Sequence, residues 1–122
     1  MEIQYAVFCE SIDAKELPPT FRRPISNIVM TDIKPFAQLE FPLFITFVGG
    51  SEGNHTLHIS VVTPTRTINV PDFIFVWRRG NITQGEILTV QFQPDVFGFY
   101  VFNLTVDNNV SHKISIPFRK LN

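Results

Sequence analysis

Between residues 98 and 118 the chain reads GFYVFNLTVDNNVSHKISIPF, and apolar side chains hold alternate positions on both sides of a polar DNN. Tyr100, Phe102, Leu104 and Val106 share one parity before the break, and Ile114, Ile116 and Phe118 share one after it. A period of two marks a strand with one buried face, because successive strand side chains point to opposite sides. Asp and Asn tolerate the left-handed backbone of tight turns. The stretch therefore predicts a β-hairpin with an apolar inner face. The rest of the chain repeats this grammar. Pro and Gly punctuate it at short intervals, and no window joins a 3.6-residue apolar period to helix caps.

Residues 2–10 read as a first strand with Ile3, Tyr5, Val7 and Cys9 on one inward face. A polar, Pro-rich loop over residues 13–24 follows, with a helical turn at 14–17. Residues 25–33 read as a second strand. In FAQLEFPLFITFV the odd positions Leu39, Phe41, Leu43, Ile45 and Phe47 share a face, and Pro42, lacking an N–H, predicts an edge or a bulge. GGSEGN at 49–54 has the composition of a hairpin loop. Leu57, Ile59 and Val61 then face inward. A short segment over 65–70 precedes Pro71, and DFIFVWRR runs apolar on both faces. After the GNITQG turn, Leu88, Val90 and Phe92 point inward. The chain thus predicts one domain over residues 1–122, an all-β antiparallel β-sandwich of about 7–9 strands, immunoglobulin-like or Greek-key in architecture.

Composition supports a self-sufficient core. A chain of 122 residues buries roughly two thirds of its unfolded surface and requires no staple. Thirteen Phe stand against two Tyr and one Trp. Phe carries no polar handle, so these rings belong mostly inside. The formal charge of −1 excludes the basic footprint of a nucleic-acid binder. A single cysteine excludes an internal disulfide and suits a reducing compartment. The amino-terminal residues lack a basic stretch followed by an apolar one, and no apolar run is long enough to cross a bilayer. The expectation is cytoplasmic, with no membrane partner.

Two resemblances follow from these residues. The pattern D-x-x-G-x-Y-x-F, Asp95 to Phe102, resembles the start of a late strand in immunoglobulin-like domains, where a Tyr hydrogen-bonds back across the corner. That resemblance gives Tyr100 the corner role and Phe102 the place of a core cysteine. It departs from antibody domains in having no disulfide pair and an Asp one residue further out. The beginning, MEIQYAVFCE, and the late run FGFYVFNLTVDNN resemble a family of small bacterial β-sandwich proteins of unknown function. Its members start on Met-x-x-x-Tyr-Ala and finish on Gly-x-Tyr-x-Phe-x-Leu-x-Val-Asp. The resemblance implies a bacterial, cytosolic protein and carries no site residues across.

Candidate chemistry is sparse. His55 and His58 form H-x-x-H, yet residues three apart on a strand face opposite sides and do not chelate one ion. These two and His112 read as solvent-facing strand-end histidines. The parity of Cys9 places it inward as a small hydrophobe instead of a nucleophile. Asp72, Asp95 and Asp107 fall at strand ends, one per loop, which is thin for calcium. The sequons at Asn54, Asn81, Asn103 and Asn109 read as coincidental. No catalytic set, metal site or cofactor site is expected.

What remains is surface. Phe44, Val48, Phe99 and Val101 have outward parity and form the candidate interaction surface for a protein partner or self-association. Trp77, Arg78 and Arg79 form a candidate ligand patch for carbohydrate or another small molecule. The functional expectation is a non-enzymatic sandwich acting through protein contacts, with ligand binding at Trp77 as its alternative.

Overall fold

A computed structural model describes residues 1–13, 20–33, 38–108 and 112–121, with side chains left undescribed at 13 and 20–22. Among these residues the chain forms β1 (Glu2–Asp13), β2 (Thr20–Pro24), β3 (Ile28–Met30), β4 (Leu39–Val48), β5 (Gly53–Val62), β6 (Thr67–Trp77), β7 (Thr83–Phe92), β8 (Gly98–Val106) and β9 (His112–Lys120). They build a β-sandwich of two sheets, ordered β2-β1-β4-β7 and β3-β9-β8-β5-β6. Every pairing is antiparallel except that of β3 with β9.

The two sheets meet through their apolar parities. Phe8, Leu43, Ile45, Phe47, Val90 and Phe92 come from the smaller sheet, and Leu57, Ile59, Tyr100, Phe102, Leu104 and Phe118 from the larger. Rings lock the layers together. Phe8 meets Phe102 at 4.8 Å between centroids, and Phe47 stacks on Phe75 at 4.6 Å. Phe92 touches Phe41, Tyr100, Phe102 and Phe118. The Phe-rich core is thus a bridge between sheets, where large rings fill the roughly 10 Å gap between facing strands.

Several local expectations change. A bulge between Ile3 and Tyr5 resets the parity of β1, so Tyr5 points outward and is 44% exposed, while Phe8 takes the core position. Cys9 is fully buried but lies outside the main core cluster. Residues 20–24, expected as loop, pair with β1; the helical turn at 14–17 lies outside the described residues. Only Ile28–Met30 of the expected second strand pairs, beside β9. β4 lies between β1 and β7, so Pro42 is not on a sheet edge. It does lie immediately before Leu43, the first β4 residue that β1 pairs, so its side towards β1 is locally open and a missing N–H is tolerated. Pro71 does not split the chain in two: β6 is one strand whose register shifts against β5 between Leu57 and Ile59.

The loop at 49–52 is not a hairpin. β4 and β5 belong to different sheets, so the segment carries the chain across the sandwich, as residues 78–82 do between β6 and β7. Turn composition reports that the chain reverses, and it is silent on whether the next strand pairs or crosses.

Tyr100 hydrogen-bonds back across the corner between β7 and β8. Its hydroxyl donates to the Val96 carbonyl at 2.7 Å and accepts from the amides of Asp95 and Val96, while its ring stacks on Phe118 at 4.1 Å. Tyr100→Phe leaves those partners unsatisfied at the β7–β8 corner. The expected loss is about 1–2 kcal/mol in a urea titration, with an unchanged m-value. A loss under about 0.5 kcal/mol would mean that the hydroxyl contributes nothing beyond solvation.

Candidate interaction face and its loop end

The four residues expected to form one interaction surface do not. Phe44 and Val48 lie on the outer face of the four-stranded sheet, whereas Phe99 and Val101 lie on the outer face of the five-stranded sheet. The sandwich separates the pairs. Phe44 is buried, packed beside Tyr5 and over Gly85, where an added Cβ would come within 2.9 Å of its ring. Val48 and Val101 are half-buried, and Phe99 is 67% exposed. Sequence parity identifies outward side chains without saying which of two outsides they occupy.

The five-stranded sheet keeps most of the exposed apolar area. Among the described residues, Val29, Val62, Ile74, Val76 and Phe99 are large exposed hydrophobics on its strands. Val62 pairs with Val101, and Phe99 lies two residues before Val101 on β8, so these form one end of the face. Ile74, at 66% exposure, and Val76 lie on the edge strand β6 at the other end. Ser60, Asn69, Asn103 and Lys113 separate the two patches.

The ligand patch at Trp77 is overturned. Trp77 is 2% exposed, and Gly50 sits on its indole so closely that a Cβ there would lie 2.4 Å from the ring. β6 alternates, so Phe75 and Trp77 turn into the core while Ile74 and Val76 turn out. Arg78 and Arg79 remain exposed, while the indole next to them in sequence is buried.

Below Trp77 lies a polar hub that the sequence did not announce. Gln84 is buried, and its amide accepts from the Arg78 N–H and Asn81 Nδ2 while donating to the Val76 carbonyl and Glu86 Oε1. All four hydrogen-bonding sites of the side chain are used. Val76 and Arg78 offer these groups along the free edge of β6, so Gln84 replaces a missing neighbouring strand.

At the Asp107 end of the same face an open groove of about 530 Å³ is lined by Thr56, His58, Asp72, Thr105, Asp107 and Asn108. His58 Nδ1 lies 2.7 Å from Asp72 Oδ1, with both side chains about half exposed. His55, expected to face solvent, is buried on the opposite side of β5, so the two histidines do not converge. Its Nδ1 lies 2.5 Å from Asp107 Oδ2 and its Nε2 lies 2.6 Å from the Ser51 carbonyl. Both partners are acceptors, an arrangement that a ring carrying hydrogen on both nitrogens satisfies and a neutral ring does not. The Ser51 carbonyl, then Asp107, raise the His55 pKa against the opposing effect of burial. Burial opposes ionisation of Asp107, but hydrogen bonds from His55 and the Thr56 amide outweigh it and lower its pKa.

These directions set a pH window. The stability contributed by His55 is fully present below about 6.5, its unfolded value, and is lost as pH rises through the raised folded one. That of Asp107 is present above its ordinary carboxylate range and is lost as pH falls through the lowered folded value.

The other candidates have protein partners. Asp95 accepts from Thr65 Oγ1 at 2.6 Å and sits beside Arg66; the Thr65 hydrogen bond, then Arg66, hold its carboxyl low against burial. Burial raises the Cys9 thiol pKa, which disfavours the thiolate. Among the described residues no three His, Cys, Asp or Glu side chains converge as metal ligands, and no helix is long and apolar enough to cross a membrane. Compared with protein-family models and with curated proteins, the chain matches none.

Proposed function

We propose that this chain is a non-enzymatic, immunoglobulin-like β-sandwich that acts through protein contacts, as an assembly or accessory component, using the outer face of its five-stranded sheet. One observation carries the reading: Ile74, Val76 and Phe99 stand 66%, 57% and 67% exposed on that face. Large apolar side chains held on a rigid sheet lose little further entropy on docking, and patches of this kind mark interfaces. The partner is a protein, including a second copy of the chain, because a charge of −1 offers nothing to phosphates or to an anionic membrane. Supporting the immunoglobulin-like architecture are the strand order, the parallel β3–β9 pair and the Tyr100 corner. The likeness to the small bacterial sandwich family supports a cytoplasmic setting.

The test uses the chain as bait in lysate from its source organism, beside Phe99→Asp, Ile74→Asp and Tyr5→Asp, with sedimentation to detect self-association. Tyr5 is the control because it is exposed on the opposite sheet. The expected result is a stoichiometric protein, or a dimer, retained by wild type and Tyr5→Asp and weakened roughly tenfold or more by the other two. Equal retention by all four, or no association by folded wild type, would overturn the reading.

A further inference from the structure

The His55 contacts join two loops that are distant in sequence. Ser51 belongs to the β4–β5 crossing, and Asp107 opens the β8–β9 turn, where Asp107 and Asn108 both have positive φ. The same crossing carries Gly50, whose backbone covers the indole of Trp77. Gly49 and Gly53 bracket the segment at φ of 71° and 120°, with open space where their side chains would be. Glycine at each end widens the range of backbone conformations open to the segment. Among the described residues the segment is also tied by the Gly49 N–H to the Ile82 carbonyl at 3.3 Å.

We propose that His55 is a pH-operated latch: its imidazolium holds the β4–β5 crossing against the β8–β9 turn, and loss of its proton frees the crossing from above Trp77. The chemistry is that of a ring with two acceptors and, once neutral, a single hydrogen. The carboxylate of Asp107 is the stronger acceptor and keeps the proton on Nδ1. The Nε2 lone pair then faces the Ser51 carbonyl oxygen, and two acceptors held at 2.6 Å repel. Burial keeps water from replacing the lost hydrogen bond, since His55 is 8% exposed and packs beside Phe75.

Among the described residues two charged groups act on the ring. Asp107 favours the proton, and the amino group of Met1 opposes it. The β6 side presents the apolar Phe75 ring, and the crossing presents the neutral Ser51 carbonyl. The balance favours protonation, so the latch is closed in acid and opens as pH rises beyond the usual histidine range. It acts within one chain and does not depend on the proposed contact face.

Trp77 is the chain's only tryptophan and reports on the latch directly. Its emission is followed from pH 6 to pH 9 in the folded protein, alongside the ring proton shifts of His55 by NMR. The expected result is a single-proton red shift of Trp77 emission with the same midpoint as His55, above about 6.5. His55→Gln abolishes the transition, and Asp107→Asn moves its midpoint to lower pH. An emission constant across that range while circular dichroism stays native overturns the latch. So does a transition that survives in His55→Gln or ignores Asp107→Asn. Should both variants fail to fold, a wild-type His55 midpoint below about 6.5, or one that does not coincide with the emission change, overturns it equally.

Discussion

Phe92→Ala is expected to lower the unfolding free energy by about 3–5 kcal/mol. Phe92 stands where the sheets meet, 3% exposed, with its ring 5.5 Å from Phe102, 5.9 Å from Phe118, 6.0 Å from Tyr100 and 6.4 Å from Phe41. Truncation removes its buried area and leaves four rings facing a void that rigid strands on both sides cannot close. Domains of this size have about 5–15 kcal/mol in total, so the variant loses a large share of its stability. Denaturant titration with circular dichroism measures it, and Phe99→Ala is the control. Phe99 is exposed, and its truncation should stay within about 0.5 kcal/mol of wild type. A Phe92→Ala cost under about 1.5 kcal/mol would show that the two sheets collapse around the void instead of resting on that ring.

Gln84→Leu should be nearly as damaging, for the opposite chemical reason. The size of the side chain is retained and the core gains an apolar residue, yet four hydrogen bonds disappear. The Val76 carbonyl and the Arg78 N–H then lie unpartnered on the free edge of β6. The expected cost is about 2–4 kcal/mol, since a fully satisfied network loses more when broken than its bonds contribute singly. The uncovered edge is also open to strand pairing, so the variant should self-associate at concentrations where wild type does not. Gln84→Glu makes a sharper comparison. It keeps both acceptors but loses both donors, and it sets a carboxylate against Glu86 and the Val76 carbonyl. It should be destabilised near neutral pH and regain stability in acid. If Gln84→Leu proves as stable as wild type, the hub is a consequence of folding and not a support of it.

Both predictions concern residues whose importance was unequally visible in the sequence. Phe92 was legible as an inward position on a period-two strand. Gln84 was not, because a glutamine in NITQGE looks like ordinary turn surroundings until β6 is known to be an edge. The same division runs through the site. Opposite faces for His55 and His58 follow from spacing alone, whereas the contact of His55 with Asp107, 52 positions away, requires the β5–β8 pairing. The parity of Phe44, Val48, Phe99 and Val101 was right in direction. It failed as a surface because a sandwich has two outer faces.

Sequence by itself determined the class of fold and the inward positions of most strands. These rest on local physics: the two-residue period of a strand, the backbone freedom of turn residues and the preference of Phe for the interior. The tertiary structure decided which strands pair and which cross. It also decided where the bulge at Ile3/Tyr5 resets the parity of β1, that Trp77 is buried under Gly50, and that Gln84 and His55 hold an edge and a loop. Each of those depends on which segments become neighbours in space. That choice is made by packing two apolar faces together, and no local pattern encodes it.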